Sequence, residues 1–486
     1  MRFAWLGVVV LFLLMPFVTY ALWFHMSGVT ELQRVQESHA KEGRGSTLQD
    51  LLGSIPDSDA DRHERWWRWQ GSFASHNRQI QEFFQAVDSD DARKWKLGLS
   101  PEPPESLTDA FKNVSGLASE LESLLDTGPF SAGMAGTFKS AFRPDEAEWL
   151  LRAYNEFQDD GYEWEAKSVL HLLNNGAVPF AASALEYRAL STQSSASHAQ
   201  ALRRMGRLID ALSNPVGLSE ALSLLLASKR RDDAYLASTL RHLLPEAEFA
   251  AWLTDDRNSH ALTLVAKAFK AERLMRTGCL APIAQAGGLY RLEFHGRRVI
   301  PRSIGWMYGP SGLALCSEAM ADVERRIERG PGYHFDLDRW VKLEMANPVA
   351  RFITPNLIET GITAAEFQLA ARRTRIIALI VRHAMTSSLP ADMTELQTLL
   401  GTRASWLDAA DDQCAMSYTR LANNRFRIGI DSARSTHGDF TPLDRYRISA
   451  AASPRKTGTP PSPRTDLPPR ASYTMADVEI WIPAPR

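Results

Sequence analysis

From Phe3 to Phe24 the chain reads FAWLGVVVLFLLMPFVTYALWF, without one charged residue. Those 22 residues, at a helical rise of about 1.5 Å, cover about 33 Å, the thickness of a bilayer's hydrocarbon core. The run predicts an N-terminal transmembrane helix over 1–25, in contact with lipid through 3–24. Trp5 near one end and Tyr20 and Trp23 near the other stand where amphipathic rings favour the headgroup layer. Pro16 removes one backbone donor and predicts a local kink. A cleaved signal peptide is the competing reading, with Arg2 as its charged end and Thr19-Tyr20-Ala21 as a small-x-small cleavage site. Against it, the apolar run outlasts the usual signal-peptide core and continues through Leu22-Trp23-Phe24. Both readings export the bulk of the chain. The expected location is a bacterial inner membrane, crossed once, with the bulk periplasmic, although Arg34 and Lys41 weaken the charge asymmetry that Arg2 and the α-amino group set up.

At 486 residues the chain exceeds what one hydrophobic core organises, so several folded units are expected. A net charge of −2 offers no field for a polyanion, which argues against nucleic acid as a partner. Cys279, Cys316 and Cys414 are too few and too scattered for a disulfide framework, and no C-x-x-C pair occurs. Buried structural thiols are the main expectation; a Cys279–Cys316 disulfide is the alternative.

The organisation expected beyond the anchor is mainly α. Residues 26–58 are polar and read as a spacer. A helical body is expected over 59–280. Trp66, Trp69, Phe73, His76, Ile80, Phe83 and Val87 fall on one stripe at helical spacing, which predicts a core-facing surface with His76 hydrogen-bonded within it. Pro144 opens a further helical pattern, and Leu202, Met205, Leu208, Ile209 and Leu212 form another apolar face. Serial helix pairs suggest a layered, solenoid-like body, although no fixed-period motif repeats.

Residues 281–360 form a Gly-rich region and a helix, with loops and short strands expected around GGLYRLEFHGRRVIPRSIGWMYGPSG. The GPSG stretch reads as a turn. It is not a nucleophile elbow, because Leu313 stands where that motif requires its last glycine. No Gly-rich phosphate loop occurs, and no H-E-x-x-H. Asp336-x-Asp338 reads as a charged helix entry. No catalytic, cofactor-binding or metal-binding residue is assigned.

Residues 361–450 read as a small α+β unit. Thr363 and Glu366 make a capping box and Ile362 a staple onto Phe367. The helix then buries Phe367, Ala370, Thr374, Ile377, Ala378 and Val381, with Arg372, Arg373, Arg375 and Arg382 on a solvated face. After the Leu389-Pro390 turn and the helix TELQTLL, the runs around Asn423-Asn424 predict a β-hairpin. Residues 451–472 form a Pro-rich linker, and 473–486 return a terminal strand, DVEIWIPAPR, to the edge of the hairpin.

The order of long helix, Leu-Pro turn, TELQTLL helix, acidic loop LDAADD and hairpin AMSYTRLANNRFRIGID resembles the C-terminal half of the major pseudopilins of type II secretion. The whole is similar to a family of uncharacterised single-span bacterial envelope proteins, whose helical body includes a segment like KAFKAERLM. The prepilin-processing motif is absent from MRFAWLGVVV, so the resemblance does not imply pilus assembly. It implies a calcium question for the acidic loop, with Asp408, Asp411, Asp412, Asp431 and Asp439 as acids of suitable chemistry. Their spacing fits no calcium loop, and solvated acids are the expectation. The function expected is that of a membrane-anchored, non-enzymatic scaffold or protein-interaction component with a protein partner in the envelope, linked to a secretion or pilus-like system. The alternatives are an envelope hydrolase with a site in 286–312 using His295 or Ser311, and a helical-repeat adaptor.

Overall fold

The computed structural model describes residues 2–45, 47, 50, 60–98, 100–127, 177–192, 194–212, 218–255, 261–289, 293–294, 297–298, 300–328, 347–353, 357–407, 415–421, 425–431 and 478–481. The element around Pro144, the Asp336-x-Asp338 pair, the Pro-rich linker and the Asn423-Asn424 turn lie outside them.

The first element, α1, is one helix over Arg2–Lys41 with Pro16 inside it. Its course corrects the expected transmembrane helix: among the described residues no helix is long and apolar enough to cross a membrane. The polar stretch that reads as a spacer continues the helix and packs against the body. His25, Gly28, Leu32, Val35 and His39 are its buried positions, alternating steps of three and four, the spacing that keeps one seam facing a partner helix.

The body begins with α2 (Ala60–Ser75), α3 (Asn77–Val87), α4 (Asp90–Lys96) and α5 (Glu105–Asp126). It continues through α6 (Ala177–Ser191), α7 (Ser195–Ala211), α8 (Leu218–Leu240) and α9 (Glu246–Leu253). The expected stripe is buried at Trp66, Trp69, Phe73, Ile80, Phe83 and Val87. The chain breaks at His76, whose half-buried ring bonds the carbonyl of Ser72 at 2.8 Å. Helix α6 is apolar nearly all round, as a helix must be when neighbours surround it. It touches α3, α5, α7 and α8, so packing here extends beyond the nearest-neighbour contacts of a solenoid. Phe180 is its hub, with ring centroids of Trp69, Phe73 and Phe83 at 6.4, 5.6 and 5.7 Å. Glu186, the buried carboxylate of the same helix, is paired with Lys96 at 3.0 Å and Arg230 at 3.4 Å.

The region expected to hold loops, short strands and a helix is, in its described residues, mostly helical. After α10 (Ala261–Gln285) and the two-residue strands β1 (Glu293–Phe294) and β2 (Arg297–Arg298), a 27-residue helix, α11, runs Arg302–Glu328 straight through GPSG. Gly and Pro did not break it because close packing employs them. A Cβ on Gly309 would stand 2.7 Å from Leu289, and one on Gly312 2.8 Å from Asn347. Helices α10 and α11 pack together, α1 lies along α11, and a short α12 (Ala350–Ile353) closes over the latter.

Helix α13 (Leu357–Ala384) starts before the capping box at Thr363, which therefore falls inside the helix. Its arginines are not a solvated face: Arg375 is buried, and Arg372, Arg373 and Arg382 are half-buried. Arg375 donates to the carbonyl of Asp255 at 2.7 Å, and Arg382 to that of Leu244 at 3.2 Å and to the carboxylate of Glu246. Seven residues, about 10.5 Å of helix, separate the two arginines. They therefore grip both ends of the short helix α9.

Next come α14 (Met393–Leu400) and a 3-10 segment over Gly401–Leu407. Asp392 caps α14 by accepting from the amides of Thr394 and Glu395 at 2.9 and 3.0 Å. Strands β3 (Ala415–Leu421), β4 (Arg425–Asp431) and β5 (Val478–Trp481) form an antiparallel sheet in the order β3-β4-β5. The register pairs Tyr418 with Ile428, and Phe426 with Ile480. The terminal segment thus adds the edge strand read from its alternation. Met416, Tyr418, Phe426 and Ile428 meet Ile376, Ile377, Ile380 and Val381 of α13 in one core.

Candidate functional site

Among the described residues the sequence-predicted chemistry does not assemble. Ser311 sits in the interior of α11, donating to the carbonyl of Tyr308 at 3.2 Å and accepting from the side-chain amide of Asn347 at 2.9 Å. It is a packing hydroxyl in a helix and not the exposed tip of a strand-to-helix turn. His295 lies outside the described residues, as do Cys414, Asp408, Asp411, Asp412 and Asp439, while Asp431 is placed only as the last residue of β4. Cys316 is buried, with its Sγ 3.5 Å from the carbonyl of Ile353; the side chain of Cys279 lies outside the described residues. Among the described residues no group of three metal-ligating side chains occurs.

The structure brings together a pair of polar locks along the α1 seam. The first arises from Pro310. Proline has no N–H, so the carbonyl four residues back, that of Trp306, loses its intrahelical donor. The Nδ1–H of His25 donates to that carbonyl at 2.6 Å. The imidazole also stacks on the Trp306 indole, with ring centroids 4.7 Å apart and planes inclined by 3°. One turn further along, Gly28 lets the backbones approach: a Cβ there would stand 3.0 Å from the amide nitrogen of Ser311.

The second lock centres on Arg273 of α10, which is fully buried. Its Nε donates to Glu324 Oε1 at 2.6 Å and Nη2 to Oε2 at 3.2 Å. The other donors reach the end of α1: the carbonyls of Arg44 and Gly45, each at 3.0 Å, and Nδ1 of His39 at 3.4 Å. All five N–H groups of the guanidinium are thereby used. Around it, Arg44 pairs with Glu324 at 3.4 Å and with Glu42 at 3.0 Å, and Arg325 with Glu42 at 3.3 Å.

Ser317 Oγ also lies 3.4 Å from His39 Nδ1, a pairing that resembles a nucleophile with its base. Its electrostatics point the other way. Burial first, and the Arg273 charge next, hold His39 down to about 4, so the ring is neutral at physiological pH and a weak proton acceptor. Both side chains are buried, and Arg273 donates to the same nitrogen. The group acts as a fastener between α1 and the α10–α11 pair.

A second buried polar cluster joins α8, α9 and α13. Asp232 accepts from the indole of Trp252 at 2.8 Å, Arg231 pairs with Asp255 at 2.5 Å, and the Tyr235 ring stacks on Trp252 at 4.9 Å. Burial pushes the Asp232 carboxyl up to about 6, against the lowering effect of Arg375.

These two groups make opposite contributions to acid stability. His39 takes its proton near 6.5 when unfolded but near 4 when folded, so its contribution is present above 6.5 and lost as pH falls toward 4. Asp232 holds its proton to about 6 when folded, so its contribution is present at low pH and lost as pH rises through about 6. Each is worth up to about 3 kcal/mol at one end of the window. Urea midpoints between about pH 4 and 6.5 are expected to change little in the wild type. The midpoint should fall with rising pH in His39→Gln and rise with it in Asp232→Asn. Parallel profiles for all three proteins would refute the assignment.

No family model matches the chain, and no curated protein or solved structure matches it.

Proposed function

We propose that the chain is a non-enzymatic scaffold of the bacterial envelope whose C-terminal α+β unit is the recognition end for a protein partner, in a secretion or pilus-like system. The observation that carries this reading is the double membership of α13. Ala378 belongs to the core of the body, while Ile376, Ile377, Ile380 and Val381 belong to the core under the sheet. Leu240, from the end of α8, reaches into the second core as well. A unit so joined turns with the body as one piece, which suits a part that must hold a surface in a set orientation.

That surface is the sheet face turned away from α13. It carries the exposed residues Thr419 and Arg427, paired in register, with Arg425 half-buried beside them. The resemblance to pseudopilins rests on the order α13, Leu-Pro turn, α14, hairpin. Crosslinking of the full chain at native abundance is expected to give one discrete complex of higher mass. The exposed-face change Arg427→Gln, which avoids a second carboxylate opposite Glu479, should reduce its yield about tenfold, a loss of about 1.4 kcal/mol, with residues 415–421 and 425–431 still protected in hydrogen exchange. Recovery of the wild-type chain as a lone monomer, or a complex indifferent to Arg427, would overturn the reading.

A further inference from the structure

The two locks along α1 hold their histidines by opposite hydrogen-bond roles. At the first, the partner of His25 Nδ1 is a backbone carbonyl, which only accepts, so that nitrogen carries the proton. At the second, Nη1 of Arg273 only donates, so Nδ1 of His39, 3.4 Å away, presents its lone pair. Ser317 Oγ stands 3.4 Å from the same nitrogen. A further proton on the His25 ring leaves its bond intact. A proton on His39 Nδ1 removes the acceptor and sets a cationic ring against a guanidinium.

The surroundings of His39 amplify that change. Among the described residues, α10 sets Arg273 against it, α11 contributes Glu324 and Arg325, and the end of α1 contributes Glu42 and Arg44. Three arginines stand against two glutamates, so the cluster carries an excess positive charge before the imidazole gains any. Arg273 and Glu324 are sealed from water, which leaves little solvent to screen a second one. Burial pushes the Glu42 carboxyl up, but its bonds to Arg44 and Arg325 carry it below the usual carboxylate range. It therefore keeps its charge through the range in which a freed imidazole takes its proton.

From these contacts we propose that the C-terminal end of α1, residues 32–41, is an acid-released latch: protonation of His39 frees it from the α10–α11 pair while the His25 lock keeps the preceding turns attached. Release uncovers Leu32 and Val35, the aliphatic pair of the seam. The sign follows from the two states of the ring. In water the imidazole takes its proton near 6.5, and in the seam only near 4, so the closed form is favoured above 6.5 and loses that advantage as pH falls toward 4. The balance should shift about a hundredfold toward release between about pH 7 and pH 4. Global unfolding masks this shift, because Asp232 contributes in the opposite sense. Asp232 sits in the cluster of α8, α9 and α13, whereas α1 packs on α10 and α11. Release of the latch leaves that cluster closed, and His39 acts uncompensated. The latch is independent of the partner proposed for the C-terminal sheet.

The test is hydrogen exchange of the full chain at about pH 7 and about pH 4, read as protection factors so that the intrinsic pH dependence of exchange divides out. A short helical end frays once it is unpacked, so amides of residues 32–41 are expected to lose about a hundredfold in protection in acid. Those of residues 25–29 and of α6 should keep theirs. In His39→Gln the side-chain oxygen still accepts from Arg273 but takes up no proton, and residues 32–41 should be equally protected at both pH values. Equal protection of 32–41 at both pH values in the wild type would overturn the proposal, as would an acid loss in His39→Gln as large as the wild type's. Should glutamine fit the seam poorly and leave 32–41 open throughout, the wild type decides alone. Loss in α6 parallel to that in 32–41 would then mean unfolding of the whole and no latch. Crosslinking at neutral pH enters none of these outcomes, so either idea can fail alone.

Discussion

Arg273→Leu is expected to lower the stability of the chain by about 3–5 kcal/mol and to release α1 from the α10–α11 pair. Arg273 has no exposure and Glu324 almost none. Removing the guanidinium therefore strands a carboxylate in the interior, together with the carbonyls of Arg44 and Gly45 and the acceptor nitrogen of His39. Arg44 alone reaches Glu324 afterwards, from 3.4 Å, too far for a strong charge-assisted bond. Leucine restores apolar volume but supplies no donor. Urea unfolding reads the loss, and hydrogen exchange locates it, with amides of residues 32–41 expected to lose protection before those of α6. The double change Arg273→Leu with Glu324→Leu separates the stranded charge from lost packing. If the stranded charge dominates, the double variant recovers most of the loss, because replacing both members of a buried pair by apolar groups is often nearly neutral. A double variant as unstable as the single one would show that the bonds to the end of α1 dominate.

The seam that Arg273 fastens is the part of the fold least legible in the sequence. Its buried positions are His25, Gly28, Leu32, Val35 and His39, of which only two are aliphatic. A search for apolar period passes over such a seam, because imidazoles buried by stacking and by a guanidinium, and a glycine buried by backbone approach, carry no hydropathy signal. The GPSG stretch misleads for a related reason. Gly and Pro punctuate loops when only local structure is considered. Here Pro310 is tolerated because His25, 285 residues away, serves the carbonyl it frees. The one available clue was the spacing of three and four from His25 to His39. Local signals fared better where packing agreed with them: the Trp66-to-Val87 stripe except at His76, the Leu202-to-Leu212 face, and the alternating Met416, Tyr418, Phe426 and Ile428 of the strands are all buried. The arginines of α13 defeated the rule of charge outward, since Arg375 and Arg382 find backbone carbonyls at the two ends of α9, and no pattern within α13 encodes where those ends lie.

Phe426→Ala is expected to unfold the C-terminal unit while leaving the body folded. The side chain is fully buried in the core shared by the sheet, α14 and α13, and its ring lies 6.0 Å from that of Tyr418. Truncating a buried phenylalanine costs about 3–5 kcal/mol, and a unit with so small a core has little stability to spare. Phe426 also sits on the central strand, paired with Arg420 on one side and Ile480 on the other. A cavity there loosens both neighbours, and β5 is exposed to release because, among the described residues, β4 alone pairs with it. Tyr418 would lose its anchor next: its hydroxyl donates to the carbonyl of Pro390 at 2.7 Å, a bond that depends on β3 holding its register. Hydrogen exchange is expected to show residues 415–431 unprotected, with α6 and α11 unchanged. The crosslinked complex should then disappear. Loss of protection throughout the chain would instead mean that α13 transmits the damage inward through Ala378, and that the two cores unfold as one cooperative unit.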